Sequence, residues 1–256
     1  MAALNLESTN PELWTLHRSN PRLAEELSAN EDLRSIVYGE QSVVVKLRRV
    51  KNLTRQLPTN HPSASYHRAE IRRLEQQQFQ IKRIFKACDW STFFVTVTSS
   101  SSVYSERVLI RNFQKLLHSV NRSLYSHKKH LYLTGYVVFE GHSRRRKRCD
   151  PHFHAFLYVD NGNPPETDRL LQRFESRIHP QETEDDGGEL REAAPQICDH
   201  QGRPVFDSVK IRQLEDTAYK TIDYSCKNLL HPDVTNADPE FGLGLYEIRK
   251  GKLVRA

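Results

Sequence analysis

Cysteine is scarce in this chain, and its spacing is uninformative for metal: none of Cys88, Cys149, Cys198 and Cys226 stands in a Cys-x-x-Cys pair. That argues against a zinc knuckle and a disulfide framework, and for reduced thiols in a cytoplasmic protein. No stretch approaches the roughly 18 consecutive apolar residues of a membrane span. The N-terminus lacks a basic stretch followed by an apolar run, so no signal peptide is expected. No internal repeat stands out, and no Gly-x-x-x-x-Gly-Lys-Ser/Thr loop occurs to cradle a nucleotide's phosphates. What the chain does have is charge, 27% of its 256 residues, with 38 Lys and Arg against 32 Asp and Glu and a net charge of +6. A basic balance favours polyanion partners, most often nucleic acid. It also serves solubility, so the placement of the charges has to decide.

Residues 1–89 read as a helical, highly charged region. Helices are expected to begin at Pro11 and at Asn20-Pro21, with Asn30 as the cap of a third. Residues 65–86 carry Ile71, Leu74, Phe79, Ile81, Ile84 and Phe85 at broadly helical spacing, with an Arg/Lys-rich outer side. The pattern changes near Trp90. Strands are expected over 92–98, 131–139, 153–159 and 205–211, and helices over 104–125, 166–178 and 215–230. Residues 180–203 are acidic and aperiodic and read as a loop or insertion, and the chain after about 232 reads as a loop and basic tail. The order β-α-β-β-α-β-α predicts an α+β fold that begins as a ferredoxin-like split βαβ. One antiparallel sheet would carry helices on one face and leave the other face for a site.

That site is expected at His152-Phe153-His154. On a strand, residues i and i+2 share a face, so the two imidazoles project together while Phe153 points to the core. Glu140 ends the preceding strand, and it lies near the pair only if the connecting loop folds back. Two imidazoles and a carboxylate suit Mn²⁺ or Mg²⁺ with open coordination positions, which is a catalytic arrangement. Taken alone, a His-x-His pair is more often two ordinary surface residues. His142 is a weaker possible ligand, and Cys198 and His200 read as scattered loop residues. Arg144, Arg145, Arg146, Lys147 and Arg148 form a basic run between Glu140 and the His pair, placed to hold a phosphate backbone. Further on, Lys220, Tyr224 and Lys227 fall at i, i+4 and i+7 on one helical stripe. Ammonium groups on both sides favour a phenolate, which helps a tyrosine act as nucleophile. Tyr219, about 140° around the helix, is the rival.

These motifs, in this order, resemble those of the HUH endonucleases: Thr92-Phe-Phe-Val-Thr-Val-Thr98, Phe139-Glu140, Asp150-Pro-His-Phe-His-Ala-Phe-Leu157, then Tyr224-Ser-Cys-Lys227. The group most similar is the single-tyrosine replication initiators of rolling-circle plasmids. Relaxases of the superfamily place the tyrosine before the His pair. The resemblance covers residues 90–232 and implies an endonuclease domain there. It implies that Glu140, His152 and His154 hold Mn²⁺ or Mg²⁺, and that Tyr224 attacks single-stranded DNA at an origin hairpin to leave a 5′-phosphotyrosine. Lys227 would orient the phosphate, with Lys220 and the basic run as further DNA contacts. The absent nucleotide loop implies that strand separation comes from supercoiling or a host helicase, before a host polymerase extends the free 3′ end. A transposase with the same chemistry and a non-catalytic nucleic-acid-binding module are the alternatives.

Overall fold

The computed structural model describes residues 31–38, 42–58, 60–61, 63–89, 91–101, 104–125, 132–140, 151–159, 164–180, 183–184, 190–191, 196–214, 218–226, 244–249 and 251–255. The helices expected from Pro11 and Asn20 lie outside them. The chain divides into two units. One takes Met1–Phe85, Arg144–Lys147 and Tyr219–Leu243; the other takes Lys86–Ser143, Arg148–Ala218 and Gly244–Ala256. Residues 219–226, read from sequence as part of the sheet domain, thus fall with the N-terminal helices.

In the first unit the described helices are α1 (Glu31–Tyr38), α2 (Val43–Gln56), α3 (Ala64–Ala87, assigned to this unit as far as Phe85) and α6 (Ala218–Ser225). Helix α2 forms because Val43, Leu47 and Val50 recur at i, i+4 and i+7 and are buried, and because Ser42 caps it, its hydroxyl accepting from the Val45 amide at 3.3 Å. Leu74, Ile81 and Ile84 are the fully buried side of α3. A pair of charges ties α2 to α3, with Lys51 Nζ 2.7 Å from Glu75 Oε1.

The second unit is a six-stranded antiparallel sheet with helices. Its elements are β1 (Phe93–Ser99), α4 (Glu106–Tyr125), β2 (Leu133–Glu140), β3 (His152–Val159), α5 (Thr167–Ile178), the two-residue strands β4 (Thr183–Glu184) and β5 (Leu190–Arg191), β6 (Phe206–Gln213), β7 (Leu245–Arg249) and β8 (Lys252–Arg255). The sheet runs β6-β1-β3-β2-β7-β8. The segment expected as a C-terminal tail is therefore the far edge of the sheet. Leu245-Tyr-Glu-Ile-Arg249 pairs with β2, Val138 facing Leu245, and turns back through Gly251 at φ +73°. A five-residue run finds its strand partner only through tertiary pairing, which is why its local pattern reads as a tail.

One face of the sheet is the core. Phe153 stacks on Phe113 of α4 with ring centroids 4.4 Å apart and meets Phe139 and Phe206 at 5.0 and 6.3 Å. Leu109, Leu116 and Val120 of α4, and Leu170, Phe174 and Ile178 of α5, are buried at helical spacing. Gly135 in β2 sits at φ +136°, where a Cβ would run into the Phe156 carbonyl of β3, so only glycine lets the two strands approach there. No helix among the described residues is long and apolar enough to cross a membrane.

Candidate metal centre

The register of β2 and β3 places Glu140 directly opposite His152. Cross-strand partners share a face, and His154 is on it two residues further along β3. The three side chains converge: His152 Nε2 lies 3.1 Å and His154 Nε2 3.6 Å from the same carboxylate oxygen, Glu140 Oε2. One ligand-type atom from each of the three residues lies within 4.8 Å of the others. The Glu140 carboxylate and the His154 ring are mostly removed from solvent, while His152 is the more open of the two imidazoles. The face is only partly open, since Phe156, Val138 and Tyr136 on it are buried.

The donor set fits a divalent cation. One hard oxygen and two imidazole nitrogens can ligate it from one side, leaving the remaining positions for water or a phosphate oxygen. The surroundings of His154 fit the same role. Thr96 of β1 faces His154 across the strand pair, with Oγ1 3.1 Å from Nδ1. When Nε2 binds a cation, Nδ1 carries the ring proton and donates it to Thr96 Oγ1, which fixes both the tautomer and the ring plane. Phe94 stacks on the His154 ring, with centroids 5.4 Å apart and planes 20° apart. The Arg212 guanidinium covers Phe94 in turn, 5.3 Å from its ring centroid. Lys210 of β6 stands opposite Thr96, two strands from His154, or about 10 Å at the spacing of neighbouring strands. Thr96, Phe94, Lys210 and Arg212 escape a reading of motifs because only strand pairing brings them beside the His pair. The alternation of residues 205–211 carries the signal that Lys210 shares a face with its i+2 neighbour, but not which strand it adjoins.

In the helical unit, α6 carries the two tyrosines. Tyr224 is 58% exposed, and Lys220, one turn earlier, is exposed as well. Tyr219 is packed edge-on against Phe85, with centroids 5.5 Å apart. Burial, with the nearby Asp223 carboxylate, pushes the Tyr219 hydroxyl up from its ordinary value. Of the two, Tyr224 is the one open to solvent. Helix α6 is anchored at its C-terminal end. Asp223 Oδ1 accepts from the Val43 amide at the start of α2, at 3.2 Å, and the Gln77 side-chain amide donates to the Cys226 carbonyl. Burial raises the Asp223 carboxyl above its ordinary value, with the Val43 amide, the Ser42 hydroxyl and Lys46 opposing the rise. Tyr224 thus sits beside a buried clamp on a short helix.

Lys227, the basic run Arg144–Arg148 and His142 lie outside the described residues. Cys198 and His200 are described and do not join the Glu140, His152 and His154 group. Compared with family models, with curated proteins and with solved structures, the chain matches none.

Proposed function

We propose that the chain is a metal-dependent, single-tyrosine endonuclease of the HUH type that nicks and rejoins single-stranded DNA to initiate rolling-circle replication. The observation that carries this reading is the convergence of Glu140, His152 and His154 on one sheet face, with Thr96 behind His154. The strand order β6-β1-β3-β2, with α4 and α5 as the connections, supports the ferredoxin-like arrangement in which the His pair lies on a central strand. Mn²⁺ or Mg²⁺ held by these three residues would polarise the scissile phosphate.

Tyr224 Oη attacks phosphorus. The phenol gives up its proton to solvent, the new bond is Tyr–O–P, the P–O3′ bond breaks, and the departing 3′ oxygen takes up a proton. The product is a 5′-phosphotyrosine and a free 3′-OH, which reverses the reaction when it attacks the link. Lys220 and Lys227 orient the phosphate and stabilise its developing charge. Lys210 and Arg212 add positive charge on the sheet face, where the strand would run beside the cation. The N-terminal helices contribute by holding α6 through Asp223 and Gln77. A host helicase and polymerase complete the process.

The test is a covalent adduct. The protein is incubated with Mn²⁺ and single-stranded oligonucleotides drawn from the DNA around its gene, and denaturing gels are read for a protein–DNA species. Tyr219→Phe should still form it, whereas Tyr224→Phe and His152→Ala should not. Adduct formation by Tyr224→Phe at the wild-type level would overturn the nucleophile.

A further inference from the structure

Between Val43 and Ala87 the chain carries eleven Lys and Arg and only two Glu, a net charge of +9 against +6 for all 256 residues. The rest of the molecule is therefore slightly acidic, and the positive charge is concentrated in α2 and α3. Both glutamates in the segment are already engaged. Glu70 pairs with Arg73 through contacts of 2.6 and 2.8 Å, and Glu75 pairs with Lys51. Neither neutralises the exposed arginines.

Three exposed cations of α3 lie on one line with Glu75 and Phe79. At 100° per residue, Arg68, Arg72, Glu75, Phe79 and Lys82 fall within an arc of about 80° on α3, and from Arg68 to Lys82 the line runs about 21 Å. All five are exposed, and Phe79 leaves 64% of its surface to solvent in the middle of the line. The Lys51–Glu75 pair brings α2 to the same surface. Arg48 and Arg55, about one turn either side of Lys51, are exposed there too.

We infer that the outer surface of α2 and α3 is a second nucleic-acid contact, separate from the metal centre, that binds the backbone of duplex DNA. Cations held on rigid helices, Arg68, Arg72 and Lys82 on α3 with Arg48 and Arg55 on α2, suit a rigid rod with a phosphate every 3.4 Å along each strand. Phe79 adds an apolar contact of the kind a side chain makes with a sugar or a thymine methyl. A single strand is held instead by successive stacking aromatics, and this line has one. A membrane surface needs an apolar helix face to insert, whereas the apolar face of α3 (Leu74, Ile81, Ile84) is fully buried. The choice of DNA over RNA rests on the proposed nicking function; the duplex surface itself does not. Such a surface would hold the enzyme on duplex flanking the melted strand it cuts.

The full-length protein and the triple variant Arg68→Gln/Arg72→Gln/Lys82→Gln are titrated with a duplex of about 20 base pairs, the matching single strand and anionic lipid vesicles, over salt from about 50 to 200 mM. Circular dichroism checks that the exposed substitutions leave the helices intact. The slope of log affinity against log salt for duplex should fall by about 3 in the variant, with affinity reduced tenfold or more. Phe79→Ala should weaken duplex binding with the slope unchanged. Adduct formation on a short single strand should be retained in both variants. An unchanged slope overturns the surface, as does an equal loss on single strands or wild-type binding to vesicles as tight as to duplex. If no oligonucleotide forms an adduct but the duplex slope falls, the nicking reading fails and the duplex surface stands.

Discussion

Thr96→Val removes one oxygen from the sheet and leaves the candidate ligands Glu140, His152 and His154 in place. The hydroxyl is 3.1 Å from His154 Nδ1, and a β-branched replacement keeps the strand's preference for this half-buried position. The folding cost should be that of one hydrogen bond, about 0.5–1.5 kcal/mol. The cost to metal binding should be larger, because the imidazole loses the partner that sets its tautomer and ring plane. Outer partners of this kind are worth about 10–100-fold in metal affinity, or about 1.4–2.7 kcal/mol. Phe94 still stacks on the ring, which favours the lower end of that range. Mn²⁺ titration by calorimetry on wild type, Thr96→Val and Thr96→Ser measures this directly. Thr96→Ser restores the hydroxyl and should bind within about threefold of wild type. A Thr96→Val affinity equal to wild type would refute the hydroxyl's orienting role, and a wild-type protein that takes up no Mn²⁺ would refute the centre itself.

Two further perturbations test the parts that hold the site. Gly135→Ala places a Cβ against the Phe156 carbonyl at a φ of +136°, so it should cost roughly 2–4 kcal/mol. Urea unfolding reads this, and an unchanged midpoint would contradict the β2–β3 register that also brings Glu140 to His152. Asp223→Asn tests the clamp on α6. Because burial raises this carboxyl above 3.8, the folded protein holds its proton more tightly than the unfolded chain. Its contribution to stability is then greatest below that ordinary value and is lost as pH rises through the folded value. Asparagine cannot ionise, so the variant's melting temperature should rise relative to wild type as pH increases from about 3.5 to 7. Movement in the opposite direction would mean that the helix N-terminus outweighs burial.

The division of labour between the units follows from what each kind of element does well. A metal centre would need ligands fixed to within fractions of an ångström, and paired strands provide that: Glu140 comes from β2, His152 and His154 from β3, and Thr96 of β1 backs His154, in a register that leaves little freedom. In the proposed reaction a nucleophile that attacks phosphorus and is later released gains from exposure, and Tyr224 is exposed on a helix of eight residues held by its neighbours on the chain, Asp223 and Cys226. The converging ligand-type groups sit in the sheet, and the largest excess of positive charge sits in α2 and α3.

How much of this is legible in the sequence depends on whether a feature is local. The strand at 152–159 and the helix at 106–125 follow from side-chain periodicity, and the antiparallel sheet follows from the order of such elements. The sharing of a face by His152 and His154 follows from the strand period of two. Glu140 is different. Its place depends on whether residues 141–151 let β2 and β3 pair end to end, and no loop of that length fixes a register by itself. The structure pairs the strands from their first available residues, Glu140 against His152, so the carboxylate lands on the imidazole face rather than one residue off it. A slip of one residue would turn Glu140 toward Phe113 and the core and leave Phe139 beside the imidazoles. The burial of Phe139 and Phe153 against each other therefore enforces the ligand set. The aromatic core selects the register, and the register assembles the group that could hold a metal.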